Sequence, residues 1–153
     1  MSSQDRGAAV GFPPPFVFIG LLLTGPLVER FVAVPPLGLP WLPGAAVAIA
    51  GLALIGAAIG LFRQRGENPE PWTPTNGIVD TGLYAYTRNP MYLGMALAHM
   101  GLAIVLGSLV SLVLLPVAIL IIQTQVIARE ERYLEAKFGT AYRDYKTRVR
   151  RWI

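Results

Sequence analysis

Two short polar stretches carry the residues from which chemistry could be built. One runs Gly82-Leu83-Tyr84-Ala85-Tyr86-Thr87-Arg88-Asn89-Pro90-Met91-Tyr92, and the other is Arg129-Glu130-Glu131-Arg132. Asn89-Pro90 makes a good helix start, with Asn at the N-cap and Pro at the first helical position. A helix start also presents free N–H groups and the positive end of the dipole, which suits a carboxylate. Arg88 can pair with that anion or snorkel to lipid headgroups. Glu130 and Glu131 offer negative charge to a cation, or are ordinary solvated charges at a helix end. They sit about 100° apart on a helix, so only one is expected to point squarely inward. Glu130 shares a face with Gln123, Val126 and Leu134 and is the expected one. An anion site, a cation site and aromatic walls together fit a zwitterionic, cationic ligand such as an amino acid derivative.

The elements that must position these groups are apolar. Only 14% of the 153 residues are charged, against about a quarter in soluble domains, and the mean hydropathy is +0.51. From Asn89 to Ala128, 40 consecutive residues carry no Asp, Glu, Lys or Arg. As helix that run is roughly 60 Å long, two crossings of a hydrocarbon core about 30 Å thick. The expected fold is therefore all-α and integral to a membrane, one domain with about four transmembrane helices near 14–34, 42–62, 90–107 and 109–128. A cytoplasmic loop at 63–89 and an interfacial tail at 129–153 complete it. Segments three and four form a hairpin turning at Gly107-Ser108, so the start of one and the end of the other lie at one level. The two polar stretches should meet there.

Charge sets the orientation. With both termini and the 63–89 loop on one side, that side holds twelve of the 13 basic residues, Arg6 among them, and Arg30 alone lies opposite. The positive-inside rule makes the rich side cytoplasmic, in what we expect to be a bacterial inner membrane. The first segment lacks the cationic start and cleavage site of a signal peptide and is expected to be a retained helix. The loop holds Trp72, Ile78, Val79, Leu83, Tyr84 and Tyr86. That is too much apolar surface for a disordered linker, so it should fold against the helix mouths. In the tail, Leu134, Phe138, Tyr142, Tyr145, Val149 and Trp152 recur every three or four residues with Lys and Arg between them. The pattern reads as amphipathic helix broken near Gly139, at the membrane surface.

Several chemistries are excluded or disfavoured. The chain has no Cys and a single histidine, which removes disulfides, thiolate metal sites, His-based metal clusters and the usual Ser/His triad. No metal is expected. The net charge of +4 brackets apolar spans, so anionic lipids account for it rather than nucleic acid. His99, inside segment three, is either an acceptor-side group or a neutral histidine bonded to Gln123 or Thr124 across the hairpin. Gly51, Gly56 and Gly60 are expected to ease helix packing.

The ordered set Asn76-Gly77-Ile78-Val79-Asp80-Thr81-Gly82-Leu83-Tyr84, Arg88-Asn89-Pro90-Met91-Tyr92-Leu93-Gly94, Glu130-Glu131, then Leu134, Phe138-Gly139, Tyr142, Tyr145-Lys146 and Arg148-Val149 resembles the isoprenylcysteine carboxyl methyltransferase and phospholipid methyltransferase family. The resemblance covers roughly residues 63–153. It implies S-adenosylmethionine bound at the cytoplasmic face by Asn76, Gly77, Ile78, Val79, Tyr84, Asn89, Pro90, Met91, Tyr92 and Glu130, with Arg88 beside them. Glu131 and Tyr92 are the candidate catalytic groups, and His99 and Arg129 the candidate acceptor-side groups. The family often has His where this chain has Asn89. Prenylcysteine enzymes of the family carry a substrate-contacting Arg one turn before the cofactor glutamate, where this chain has Val126. The expected acceptor is therefore some other membrane-partitioned lipid or lipid-like molecule, methylated on a carboxylate or an amine. The competing readings are a non-catalytic lipid-binding membrane protein and, further off, a small transporter.

Overall fold

The computed structural model describes Asp5 and residues 7–153; Arg6, counted above with the basic side, lies outside the described residues. Six helices follow one another: α1 (Pro14–Glu29), α2 (Trp41–Gln64), α3 (Pro90–Val105), α4 (Leu109–Ile121), α5 (Ala128–Phe138) and α6 (Thr140–Arg148). A short 3-10 turn occupies Gly82–Ala85. Among the described residues the only β-type pairing is one isolated parallel bridge between Thr87 and Arg150.

Among the described residues, two helical stretches are long and apolar enough to cross a membrane, Trp41–Gln64 and Leu109–Phe138. The apolar helices α1 and α3 have 16 residues each, about 24 Å of rise, short of a hydrocarbon core of about 30 Å. Segment one is shorter than its expected 14–34. Its helix ends at Glu29, and the chain beyond runs into Pro35-Pro36, which disfavour helix in the residue before them. The hairpin between α3 and α4 turns where expected, at Gly107 with φ +64°.

The boundary expected between segment four and the tail is absent. Residues Leu109 to Phe138 form one uninterrupted helical rod in which Ile122–Ile127 is wound as π-helix. A π segment inserts extra residues into a turn and is often found beside functional sites. The rod ends at Gly139, whose φ of +56° suits glycine and turns the chain into α6. The apolar stripe of the tail faces the protein: Tyr142, Tyr145 and Val149 are buried against Ile78, Leu134 and Phe138. The loop folds against the helices through Val79 and Tyr84, buried against Ala58, Leu61, Phe62 and Met91, whereas Trp72 and Tyr86 of the expected apolar set stay exposed.

Glycine sets tight packing between α2 and α3, at Gly51 as expected and at three further positions. A Cβ on Gly101 would lie 2.3 Å from Ala48 N, one on Gly51 2.5 Å from Ala98 N, and one on Gly94 2.7 Å from Gly51 O. Gly44, Gly51, Gly94 and Gly101 thus let the α2 and α3 backbones touch, as small residues do between membrane helices. Gly56 and Gly60 face open space instead, so they do not serve the packing assigned to them above.

Helices α1 and α4 are joined by polar groups. Pro26 has no N–H to give the Leu22 carbonyl, and Ser111 Oγ donates to that oxygen at 2.7 Å. The Glu29 carboxylate accepts from Val110 N at 2.9 Å and lies 3.1 Å from Ser108 Oγ, so α1 caps the start of α4. His99, 2% exposed, has Nδ1 3.1 Å from Phe18 O and Nε2 2.9 Å from Ser111 O. It bonds neither Gln123 nor Thr124: its position on α3 faces the gap between α1 and α4, where both carbonyls point at it.

Candidate functional site

The two polar stretches do meet. They line a cleft of about 820 Å³, counting its open mouth, between the loop, the start of α3, α5 and α6. Glu130, Tyr92, Arg88 and Asn89 all reach it, with Gly77, Ile78, Val79, Tyr84 and Met91 on its walls. Asn76 and Pro90 stand behind the wall. The Asn76 N–H donates to the Glu67 carboxylate at 2.9 Å, and Pro90 is buried at the helix start. His99 is enclosed between helices and Arg129 is exposed, its guanidinium 3.3 Å from Ala9 O. Neither of the two candidate acceptor-side residues lines the cleft.

The adjacent glutamates both turn toward the site, against the expectation that one would face away. Glu130 Oε1 accepts from the Tyr92 hydroxyl at 2.7 Å. Glu131, the more deeply buried of the two, is gripped by Arg151 through Nε at 2.9 Å and Nη2 at 2.7 Å. It also lies 3.0 Å from Arg88 Nη1. The cleft wraps around α5 widely enough for positions 100° apart to share it. With both oxygens gripped by Arg151 and one also facing Arg88, the Glu131 carboxylate ties the C-terminal residues to α5 and to the start of α3.

Asn89 does not cap α3 with its side chain, as expected for an Asn-Pro start. Its Nδ2 donates to Arg151 O at 2.9 Å, and its own N–H donates to Thr87 Oγ1 at 3.2 Å. The C-terminal residues have drawn it away: Arg88 N donates to Arg150 O at 2.9 Å, and the Trp152 indole donates to Gln123 Oε1 at 2.9 Å.

Three buried polar atoms in this region have no hydrogen-bond partner among the described residues: Tyr84 Oη, Arg88 Nε and Arg88 Nη1. The Nη1 is close to Glu131 without the alignment of a hydrogen bond. All three belong to side chains on the cleft wall. A buried polar group left unpaired costs about 1–3 kcal/mol, so Tyr84 Oη and Arg88 Nε, which have neither a hydrogen bond nor an ion pair, suit a polar ligand.

Burial and charge tune the rest of the wall. Glu130 lies two residues past the apolar run that ends at Ala128. Burial pushes its carboxyl up to about 7, aided by Glu131 and opposed by the Tyr92 hydrogen bond. Burial raises the Tyr84 hydroxyl above the ordinary tyrosine range, with the Glu130 charge adding to it. Tyr142 is pushed up to about 12, chiefly by burial. The tyrosines are therefore neutral hydroxyls with electron-rich faces, suited to a cation.

Sequence reasoning missed four groups that shape the site. Glu67 is 8% exposed and gathers the Thr75 hydroxyl at 2.8 Å and the Asn76 N–H, fixing the loop wall. Tyr133 accepts from Thr75 N at 3.3 Å and donates to Asp5 at 2.9 Å. Ala8 of the N-terminal segment closes one edge, its N–H bonded to Pro71 O at 2.9 Å. Arg151 is the fourth. The tail's three-to-four spacing carried the one available signal, for Tyr142 and Tyr145, which line the cleft.

Residues 47–141 match the family model described as phospholipid methyltransferase. An uncharacterised protein of Haemophilus influenzae is 44% identical over 63 residues, 41% of this chain and 100% of that one. The protein-S-isoprenylcysteine O-methyltransferase of Schizosaccharomyces pombe is 36% identical over 72 residues, 47% of this chain. The matched region spans 30% of the length of that yeast relative. No solved structure matches the chain.

Proposed function

The chain belongs to the phospholipid methyltransferase family, and we propose that it transfers a methyl group from S-adenosylmethionine to a membrane-partitioned acceptor at the cytoplasmic face. The observation that carries this reading is the company kept by the unpaired polar atoms. Arg88 and Tyr84 present them in the same cleft as a carboxylate, Glu130, and a set of neutral tyrosines. A zwitterion bearing an extra cation needs that combination.

The residues fit the cofactor as follows. Arg88 and the free N–H groups at the start of α3 suit its carboxylate. Glu130 suits its ammonium. Tyr92 and Tyr142 suit the sulfonium charge, and Ile78, Val79 and Met91 give an apolar wall for the adenine. When bound, the cofactor supplies an activated methyl group. Transfer is an in-line displacement that leaves a neutral thioether, so the protein has alignment and water exclusion to contribute. A carboxylate acceptor needs no base. An amine acceptor must lose a proton, for which Glu131, Tyr92 or a water are the candidates.

The acceptor is a lipid or lipid-like molecule reached from the bilayer, in which α2 and the α4–α5 rod cross, α1 and α3 complete a four-helix membrane bundle with their flanking residues, and the loop side faces the cytoplasm. The twelve-to-one distribution of basic residues supports that orientation. Calorimetry of S-adenosylmethionine with detergent-purified protein tests the reading. We expect micromolar binding that is lost in Glu130→Ala. A folded wild type that does not bind, even with lipid present, overturns it.

A further inference from the structure

The C-terminal residues 149–153 hold together the two elements that build the cleft. They bond the residues just before α3 through Arg88 N to Arg150 O, and through Thr87 Oγ1 and Asn89 Nδ2 to Arg151 O. They bond the α4–α5 rod through the Trp152 indole to Gln123 and through the Arg151 fork to Glu131. The Arg151 side chain thus meets the one carboxylate that Arg88 also faces.

Arg88 and Glu131 are buried to a similar degree, with side chains 10% and 11% exposed, while Arg151 is 37% exposed. A buried guanidinium and a buried carboxylate left alone would pair fully, because little water competes for either. Here they do not. Arg151 takes both Glu131 oxygens in a two-pronged grip, the strongest geometry available to an arginine. Arg88 keeps an ionic contact at 3.0 Å but has Nε and Nη1 without hydrogen bonds.

We propose that Arg151 is a positioning residue that grips both Glu131 oxygens and so limits Arg88 to a single ionic contact, keeping its remaining donors available to the carboxylate of the ligand in the cleft. This rests on the functional reading above. It predicts a dependence on charge balance that a plain structural fastening would lack. With Arg151 gone, Glu131 draws Arg88 into a closed pair, and ligands with a carboxylate lose their partner. Removing the Glu131 charge as well releases Arg88 again.

Two probes separate these cases: S-adenosylhomocysteine, which has the amino acid carboxylate, and 5′-methylthioadenosine, which does not. Binding of each is measured by calorimetry to wild type, Arg151→Gln and Arg151→Gln/Glu131→Gln, with thermal melting of each protein alongside. We expect Arg151→Gln to weaken S-adenosylhomocysteine about tenfold or more and to leave 5′-methylthioadenosine unchanged. The double variant should recover most of the lost affinity. Equal weakening of both probes, no weakening, or a folded double variant that stays as weak as the single one overturns the proposal. If Arg151→Gln does not fold, the folded double variant decides alone: near-wild-type binding of S-adenosylhomocysteine supports the proposal, and weak binding overturns it. Wild type that binds neither probe overturns the functional reading itself.

Discussion

The helix bundle and the cleft at its loop end treat buried polarity in opposite ways. In the bundle His99, Ser108, Ser111 and the Glu29 carboxylate each have partners. In the cleft Tyr84 and Arg88 have polar atoms with none. Hydrocarbon offers no water to an unpaired group, so the bundle must be complete in itself. The cleft is left incomplete, and its missing partner is what a ligand would bring. Buried polar residues alone would point to both regions; the unpaired ones point to one.

The contrast breaks most severely at the interlocked glycines. Gly101→Leu places side-chain atoms where Ala48 backbone already lies, at 2.3 Å from the would-be Cβ. Since backbone cannot yield as a side chain does, we expect loss of folded protein, read as the absence of a monodisperse peak in detergent. Gly56→Ala, facing open space, should behave as wild type in the same assay. Next is Glu130→Ala, which removes a charged partner from the cleft. S-adenosylmethionine affinity should fall about 30- to 100-fold, as for loss of a charge-assisted hydrogen bond, with the melting temperature held. His99→Ala should do the reverse. It opens a cavity and strips a buried carbonyl of its imidazole donor, costing about 2–4 kcal/mol of stability, while the affinity of the protein that remains folded is unchanged.

The pH dependence sharpens the comparison most. Glu130 is raised from 4.5 to about 7 in the folded, empty cleft, so the folded state favours its proton. Its contribution to stability is fully present below about 4.5 and is lost as pH rises through 7. Binding a cation needs the carboxylate. Affinity for S-adenosylmethionine should therefore climb by up to tenfold per unit between about pH 5 and 7, then level off. Glu130→Gln should flatten both profiles; a wild-type affinity that is flat from pH 5 to 7 contradicts the assignment.

Local pattern carried the features that depend on local physics. The 40 uncharged residues gave the hairpin, Gly139 gave the break before α6, and the loop's apolar content gave its packing. Glu130 was legible from the helical face it shares with Gln123 and Leu134. Other features were decided by contacts far apart in sequence. The π winding at Ile122–Ile127 has no residue signature, and it makes the tail a continuation of α4. Asn89 reads as a cap until Arg151, 62 residues away, takes its amide. Which glycines touch depends on the facing of α2 and α3, so Gly51 and Gly56 look alike in the sequence and differ in the fold. Arg151 sat in a run of basic residues that topology alone appeared to explain.

The bond between Ser111 and the Leu22 carbonyl has a consequence for how this family can vary. Pro26 creates the vacant carbonyl and Ser111, 85 positions later, fills it. Ser111→Ala alone strands a buried carbonyl, whereas Pro26→Ala alone gives that oxygen a second donor, which its two lone pairs can accept. Changing both restores an ordinary helical bond and makes the serine dispensable. The coupling therefore runs one way: sequences that keep the proline should keep a small hydroxyl opposite it, and those that lose the proline are free to lose the hydroxyl.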